Sequence, residues 1–520
     1  MTGAWRSWLS PPKKSRDFLC PWIKSSLCVM LLLSFTFVSY SVFSPSQYSW
    51  RCPLCLRGGR ESPVTTVLYS SGAPAAAVPC SPPGPTSISH ILFGIGGSAR
   101  TWQGRRGYSE LWWRPGETRG HVWLDEEPPG GAAAWPSTCP PYRVSRNASR
   151  FGNRASAARI ARIVAEAYHN VVASGEEGVR WLVMGDDDTV FFPENLASVL
   201  GKYDHEQMWY IGGPSESVEQ NVMHSYGMAF GGGGFAISSA AAAELARVLE
   251  SCLDRYNYFY GSDQRVQACL SELGVPLTRE PGFHQLDVRG DTFGMLAAHP
   301  VAPLVSLHHL DYMSPISPRG QTRLEALGSL VRASRFDPAR TLQQSICYVP
   351  WRNWSVSVAW GYAAQVYPRV LSPPELETPL RTFTTWRSFH DGPFTFNTRP
   401  VPAEACERPF VYYLAGVRED DNRKRSRKER GHGESAGTVT EYSKYVPDKE
   451  KAVCGRPEFA AASTVDAVRV FAPKMDGDDW KKAPRRHCCE TEMRRAWWGT
   501  AETMEVRIRK CRPGETLSPP

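Results

Sequence analysis

Apolar positions between about residues 88 and 273 alternate between two spacings. Short continuous runs, such as "HILF", "RWLVM" and "MWYIGG", are typical of buried strands. Between the first two runs, apolar residues recur three and four positions apart and predict a helix, with the stripe Ile160, Ile163, Val164, Ala167 and Val171. Gly175 ends this helix, and Pro193 can open the next. Ser238 or Ser239 can cap a third helix from Ala240 to Cys252. Strands that alternate with helices predict an α/β sheet.

The pattern changes after about residue 335. Trp, Pro and short apolar runs follow, and they predict a smaller, β-rich C-terminal module over residues 336–520. Within it, residues 418–437 read "REDDNRKRSRKERGHGESAG" and have no apolar period. Such a segment is predicted to be a solvated, disordered loop, and a basic contact site is the alternative.

The N-terminal region has the pattern of a membrane anchor. Residues 25–43 carry no charge, five basic residues precede them, and the first charge after them is Arg51. This asymmetry predicts a cytosolic tail over 1–24, a transmembrane signal anchor over 25–43 and a lumenal body, with a cleaved signal peptide as the alternative. Residues 44–87 are rich in Ser, Pro, Gly and Ala, which predicts a stem or linker.

Composition agrees with a lumenal body. The chain has 14 Cys, an even number of which follow the apolar segment, and two glycosylation sequons at Asn147 and Asn353. The lone pair Cys52 and Cys55 favours a disulfide over a metal site, and Cys488 is expected to bond elsewhere than to its neighbour. The net charge of +8 mixes both signs, which argues against a nucleic-acid-binding protein.

Three adjacent acids, Asp186, Asp187 and Asp188, follow the strand "RWLVM". Ligands of α/β sheets bind beyond the carboxyl ends of strands. Adjacent carboxylates in apolar surroundings are costly unless a cation balances them, and oxygen ligands suit Mn²⁺ or Mg²⁺. The alternative is an acidic turn that caps the helix opened by Pro193.

Three further stretches could take part in chemistry. The glycines from Gly231 to Gly234 interrupt a strand and would allow close approach by a ligand, or form a flexible turn. Asp263 follows a predicted N-cap at Ser262, so it is either a capping acid or a fixed general base. A strand through "VSLHHLD" would point His308 and His309 to opposite faces, so that only one could reach a metal.

Taken together, these stretches resemble the fringe-like glycosyltransferases of plants, within glycosyltransferase family 31. The resemblance covers about residues 88–400. It rests on several words in one order: "FGIGGS", "WWRP", "VMGDDDTVFF", "HSYGMAFGGGGFAIS", "YGSDQRVQAC", "GFHQLD", "VSLHHLD" and "FNTRP".

The resemblance implies a GT-A-like, Rossmann-like catalytic domain over residues 88–335 in a single-pass type II protein of the Golgi membrane. It implies Mn²⁺ or Mg²⁺ as the metal and a UDP-sugar as the donor. By resemblance, Asp188 and His308, or His309 in its place, bind the metal. Asp263 is the catalytic base, and Asp186 and Asp187 lie near the sugar and the ribose. The remaining donor-binding positions are Gly94, Gly96, Gly97, Ser98, Gly232, Gly233 and Gly234.

The function expected from this resemblance is inverting transfer of a hexose or N-acetylhexosamine to a glycan or glycoprotein, with a β-1,3 linkage. One position departs from the family pattern, because Gln264 stands where many members carry a second acid. An inactive lumenal protein that binds sugar nucleotides or glycans is therefore the first alternative. A metal-dependent phosphohydrolase is the second. The sequence leaves the donor sugar and the oligomeric state open.

Overall fold

The computed structural model describes Met30 and residues 84–420, 436–447, 454–483, 485–495 and 502–519. The proposed anchor over 25–43, apart from Met30, and the stem up to residue 83 lie outside the described residues. Among those described, no helix combines the length and apolar character needed to span a membrane. The residues from 84 onward belong to one compact unit, Ser81–Pro520.

The first half of this unit is a mixed α/β structure, consistent with a GT-A-like fold. Its strands are β1 Ile91–Gly96, β2 Arg119–Leu124, β3 Tyr142–Val144, β4 Trp181–Asp186, β5 Val190–Phe191, β6 Tyr210–Gly212, β7 Phe235–Ser238, β8 Leu277–Arg279, β9 Phe283–His284, β10 Val288–Gly290 and β11 Ser306–Leu307. The helices are α1 Ala99–Trp112, α2 Ala155–Ser174, α3 Pro193–Leu200, α4 Val218–Met223, α5 Ser239–Arg255, α6 Ser262–Glu272, α7 Phe293–Ala297 and α8 Arg323–Phe336.

The second half is mainly β. Its strands are β12 Gln344–Val349, β13 Trp354–Ala359, β14 Ala363–Tyr367, β15 Phe383–Thr385, β16 Phe410–Glu419, β17 Gly437–Lys444, β18 Val465–Pro473, β19 Cys488–Arg495 and β20 Glu502–Arg509, and its α-helices are α9 Pro373–Glu377 and α10 Pro457–Ser463. Short 3-10 helices lie at Ile88–His90, Gly131–Ala134, Ser149–Arg154, Leu310–Tyr312, Pro338–Arg340, Pro350–Arg352, Ala405–Glu407 and Gly477–Lys481.

The central sheet has the strand order β3-β2-β1-β4-β7-β6-β8 in the described part of the chain. Strands β3, β2, β1 and β4 are parallel, and β7 runs antiparallel to both β4 and β6. The carboxyl ends of β1 and β4 therefore meet at one edge, where Gly96 pairs with Asp186. Three short strands, β5, β11 and β9, form a second, smaller sheet beside this edge.

The local signals explain most of these elements. In α2, Ile163, Val164 and Ala167 are buried, and Gly175 ends the helix in the left-handed conformation that glycine adopts without strain. The Ser238 hydroxyl accepts a hydrogen bond from the Ala241 amide and caps α5, as one of the two predicted caps. These helices and strands occur where the sequence predicts them, with ends that differ by one to three residues.

The C-terminal strands form a sheet in the order β12-β13-β14-β16-β17-β18-β20-β19 within the described residues. Part of it shares a hydrophobic core with the α/β half, because Ala363 of β14 and Tyr413 of β16 belong to the same cluster as Phe93 and Trp181. The division near residue 335 stays a prediction. The predicted loop 418–437 is too wide, because Arg418 and Glu419 pair with Val439 and Thr438 in the β16–β17 ladder.

Four disulfides lie within the described residues. Two of them involve the adjacent cysteines: Cys488 bonds to Cys511, and Cys489 bonds to Cys347. The prediction that these neighbours bond elsewhere is confirmed. The Cys347–Cys489 bond ties β12 to β19, which closes the two edges of the C-terminal sheet toward each other. Cys52 and Cys55 lie outside the described residues.

Candidate functional site

Asp186, Asp188 and His308 meet at the carboxyl edge of the central sheet. The Nε2 atom of His308 is 3.1 Å from Oδ1 of Asp188 and 3.8 Å from Oδ2 of Asp186. One ligand atom from each of the three lies within 4.8 Å of the other two. Neighbouring ligands in octahedral Mg²⁺ sites are roughly 3 Å apart, because the bonds are about 2.1 Å long. The spacing therefore suits a divalent cation held by two carboxylates and one imidazole.

Two pieces of backbone bring this cluster together. Strand β4 ends at Asp186, where the Asp186 amide donates to the Thr189 hydroxyl (2.8 Å) and closes a turn around the acids. The chain leaves this turn as β5, which pairs antiparallel with β11 through Val190 and Leu307. His308 follows Leu307 directly. The β5–β11 pairing therefore fixes the distance between residues that are 120 positions apart in sequence.

Charge and burial act against each other in the cluster. Burial alone raises the pKa of the Asp188 carboxyl, but His308 and Arg105 outweigh it and hold this pKa below its usual value. Burial alone lowers the pKa of His308, and Asp188 and Asp186 more than reverse this, raising it to about 9. Low-polarity surroundings raise the pKa of Asp186 to about 7, although its side chain remains 39% accessible. Without a metal, a protonated His308 thus supplies positive charge beside Asp188.

Arg105 also neutralises the acids, although no sequence pattern pointed to it. Its guanidinium lies 2.9 Å from Oδ1 of Asp187, 3.5 Å from Oδ2 of Asp188 and 3.8 Å from Oδ2 of Asp311. It projects from α1, whose buried side is formed by Trp102, Tyr108 and Trp112. Asp187 is buried and salt-bridged, so of the three predicted acids it is the one turned to Arg105 rather than to His308.

The glycine segment is needed by the protein's own packing. A Cβ atom on Gly232 would lie 2.0 Å from Cε1 of His308, and one on Gly234 would lie 2.8 Å from the Phe191 ring. Gly233 donates its amide to Oε1 of Gln285 (2.6 Å), and a Cβ there would lie 3.0 Å from the Gln285 nitrogen. Gly234 also has a positive φ of 81°. The atoms that a Cβ on Gly232, Gly233 or Gly234 would meet belong to the chain itself, and the place of these glycines in a donor site stays a prediction.

Asp263 lies at the other side of this segment. Its Oδ2 atom accepts a hydrogen bond from the Gly231 amide (3.1 Å), and its Oδ1 atom accepts one from the Gln264 amide (2.9 Å). Burial raises the pKa of the Asp263 carboxyl, although these two bonds oppose the shift. Asp263 and Asp186 both line one small cavity. The consecutive residues Gly231 and Gly232 therefore contact the candidate base and the candidate metal ligand.

The start of α6 differs from the prediction. Ser262 is the first helical residue and Gly261 is the N-cap, so the expected N-cap at Ser262 is wrong. The physical reason is Gln264, whose side-chain oxygen accepts a hydrogen bond from the Gly261 amide (3.1 Å) and satisfies the end of the helix. A glutamine at this position thus caps the helix that carries Asp263.

His308 and His309 do not point to opposite faces. Strand β11 ends at Leu307, and His309 has a left-handed backbone with a φ of 52°, so the alternation of a strand no longer applies. Their ring centroids are only 4.1 Å apart. His309 turns toward Asp287, with 2.8 Å between Nδ1 and Oδ1, and is absent from the three-residue cluster. Among the described residues, His308 is therefore the imidazole that faces the acids.

A cleft of about 490 Å³ opens beside the cluster. It is lined by Gly96, Gly97 and Ser98 from the end of β1, by Asp186 and Asp187, and by the cations Arg105 and Arg154, with Tyr260 and Ser262 on the far wall. The Ser98 hydroxyl donates to Asp125 (3.0 Å), which fixes the loop after β1. Gly94 is not part of this cleft, since it faces Met184 inside the sheet. A larger groove of about 1130 Å³ along β2 and β3 contains none of the clustered acids.

Two family models match the chain. One, described as "Protein of unknown function, DUF604", matches residues 220–489, which is more than half of the 520 residues. The other, described as "Fringe-like", matches residues 144–295. The second match includes the three acids, the glycine segment and Asp263. The first includes the glycine segment, Asp263 and both histidines.

Two curated relatives carry the name "Beta-1,3-glucosyltransferase". The protein from Mus musculus is 33% identical over 108 residues, and the one from Homo sapiens is 32% identical over 111 residues. Each alignment covers 21% of this chain and 21% of the relative, so the chain spans about a fifth of the length of the relatives it matches.

The contact between Gly232 and His308 can be tested by stability. We expect Gly232→Ala to lower the free energy of unfolding by about 1–3 kcal/mol, because the added methyl group overlaps the His308 ring in a packed site. Gly231→Ala is the matched control, since its nearest new contact would be an ordinary 3.6 Å from Cβ of Asp263. Urea titrations of the two variants make the comparison. Equal stability of both variants would contradict the packing role of Gly232.

Proposed function

Because the chain belongs to the family described as "Protein of unknown function, DUF604", and residues 144–295 also match the Fringe-like model, we propose that it is a glycosyltransferase that uses a UDP-sugar and a divalent cation. The observation that carries this proposal is the approach of His308 to Asp188, 3.1 Å apart beside a cleft with two arginines. Carboxylates that lie close together at a sheet edge lower the free energy of unfolding unless a positive charge balances them.

The cation would be held by Asp188 and His308, with Asp186 as a third ligand. Mn²⁺ is the proposed ion, with Mg²⁺ as the alternative, because two of the three ligands are carboxylates and carboxylates suit both ions. When bound, such an ion neutralises charge on a diphosphate leaving group and orients it. Arg105 holds Asp187 and Asp188 in place from the other side. His309, paired with Asp287, supports His308 by ring contact and is not proposed as a ligand.

The UDP-sugar would occupy the cleft beside the acids. Gly96 and Gly97 line this cleft at the end of β1, and the loop that follows is held by the bond from Ser98 to Asp125. Arg105 and Arg154 supply positive charge for a diphosphate. The volume of about 490 Å³ lies within the usual range for small-ligand sites. Asp186 and Asp187 would face the sugar and the ribose.

Asp263 would act as the general base. The carboxylate takes the proton from an acceptor hydroxyl, the hydroxyl oxygen forms a bond to the anomeric carbon, and the bond from that carbon to the UDP oxygen breaks. The electron pair leaves with UDP, and attack from the opposite face inverts the configuration. Two backbone amides orient the carboxylate, and they oppose the burial that raises its pKa. General-base assistance typically contributes ~10²–10⁴-fold in rate.

The setting we propose is the Golgi membrane. The uncharged segment 25–43 would anchor a type II protein with its catalytic part in the lumen, where the disulfides can form. The acceptor would be a glycan or glycoprotein, and the transferred unit a hexose or N-acetylhexosamine. The name of the two relatives makes a β-1,3 linkage and UDP-glucose the first to test.

The two histidines give a matched pair for the metal site. We expect His308→Ala to abolish Mn²⁺-dependent binding of UDP, because it removes the nitrogen that faces Asp188. His309→Phe should leave binding within about threefold, because the ring that stacks between its neighbours is kept. Calorimetric titration of UDP with and without Mn²⁺ measures both. Unchanged Mn²⁺ dependence in His308→Ala would exclude this residue as a ligand.

The proposed role of Asp263 as general base can be tested separately from the binding of UDP and Mn²⁺. We expect Asp263→Asn to reduce sugar transfer at least ~10²-fold while UDP and Mn²⁺ still bind, because the amide cannot accept the acceptor proton. Each UDP-sugar of a panel that begins with UDP-glucose is offered with Mn²⁺, and UDP release is measured. Asp466→Asn is the control, since this aspartate is exposed on β18 of the C-terminal sheet. Full activity of Asp263→Asn would remove Asp263 from the mechanism.

A further inference from the structure

A line of stacked rings leads away from the cation cluster. His309 lies beside His308, with ring centroids 4.1 Å apart, and its other face stacks on Trp386 at 4.4 Å with parallel planes. Asp287 lies beside these rings, with its Oδ1 atom 2.8 Å from Nδ1 of His309 and its Oδ2 atom accepting a hydrogen bond from the Ser215 hydroxyl (2.6 Å). Trp386 therefore stands next to the cluster in a set position.

Three aromatic rings surround one guanidinium at the outer end of the stack. The Cζ atom of Arg289 is 4.5 Å from the Trp386 ring centroid, 5.0 Å from that of Phe389 and 5.5 Å from that of Tyr312. Its Nε atom also donates to the Trp386 carbonyl oxygen (2.8 Å). We name the surface formed by Arg289, Tyr312, Trp386 and Phe389 the aromatic platform. The cation holds the rings together by its attraction to their faces.

Two rings of the platform are turned to solvent. Phe389 is 62% exposed and Tyr312 is 48% exposed. Phe389 also has a positive φ of 56°, a conformation that a bulky side chain rarely adopts and that is concentrated at ligand-binding sites. Hydrogen bonds hold the loop that carries Phe389. The Thr385 hydroxyl bonds to the Ser388 hydroxyl (2.6 Å) and accepts a hydrogen bond from the His390 amide (2.9 Å). A fixed loop thus presents an exposed phenyl ring beside the cluster.

The platform is separate from the nucleotide cleft. No residue of the platform lines that cleft, which is formed by the end of β1 and the loop after it, α1, the start of α2, the acids and the start of α6. Group transfer requires a second substrate beside the first. A pyranose ring offers a face of C–H groups that packs on aromatic rings, and a rim of hydroxyls that bonds to charged groups such as Arg289.

We propose that the aromatic platform binds the acceptor glycan. One pyranose ring packs on Tyr312 and Phe389, Arg289 bonds to its hydroxyls, and Trp386 and His309 set the distance of the platform from the metal ligands. This inference rests on the proposed function, because it assigns the site of the second substrate of that reaction.

The test measures glycan binding independently of catalysis. Saturation-transfer NMR is recorded for the full chain with the methyl β-glycosides of glucose, galactose and N-acetylglucosamine as probes. We expect at least one probe to receive saturation from aromatic protons, and the signal to fall about tenfold in the double variant Tyr312→Ala/Phe389→Ala. Both side chains are exposed, so the variant should keep its fold. Trp351→Ala is the matched control, since Trp351 is likewise 62% exposed but lies in the C-terminal half.

UDP release without acceptor is measured on the same proteins. It should be equal in the double variant and the unmodified chain, because the nucleotide cleft is intact. Equal saturation transfer with and without the two rings, or none in the unmodified chain, would overturn the platform while leaving the proposed function standing. Loss of saturation transfer in the double variant, with no UDP release from any of the proteins, would support the platform as a glycan site and contradict the proposed function.

Discussion

The contact between Asp188 and His308 is the constraint on which the site depends. Both side chains are buried, and each would be costly there alone, since an isolated charge at such a depth requires a partner. Together they shift each other's pKa in opposite directions and stay within hydrogen-bond distance. The β5–β11 pairing sets their backbones, and Gly232 supplies the space that the imidazole fills. A bound cation would replace the positive charge that a protonated His308 supplies beside Asp188.

The glycine segment links this pair to the rest of the chemistry. Gly231 donates to Asp263, Gly232 abuts His308, and the carbonyl oxygen of Gly232 accepts a hydrogen bond from Thr189 in the acidic turn (2.7 Å). A single loop therefore spaces the candidate base, the candidate ligand and the acids. Because Gly232, Gly233 and Gly234 lack side chains, the groups around them approach more closely than a Cβ atom at these positions would permit.

The parts of the fold that depend on local sequence pattern could be predicted from the sequence. The apolar stripe of α2, the cap at Ser238 and the apolar run "RWLVM" each predict one element, and these predictions agree with the structure. The sequence also singled out the acids and the histidine pair as chemically unusual. Arg105 could not be found in this way, because its partners lie about 80 residues away.

The prediction that His308 and His309 point to opposite faces was wrong for a related reason. The prediction assumed a strand through both residues, but tertiary contacts with Asp287 and Trp386 end it at Leu307 and turn His309 into a left-handed conformation. Trp386 itself is separated from His309 by more than seventy positions, so its role depends on the folded chain. The packing contacts that require glycine at Gly232, Gly233 and Gly234 likewise depend on neighbours that are distant in sequence.

The most direct test of the cation site is anomalous diffraction from crystals of the protein soaked with MnCl₂ and UDP. Data collected near the manganese absorption edge locate the ion without reference to any assumed ligand. We expect one strong peak at roughly 2.0–2.3 Å from a carboxylate oxygen of Asp188 and from Nε2 of His308. A well-ordered peak elsewhere with this pair still hydrogen-bonded, or no peak with UDP bound in the cleft, would contradict the assignment.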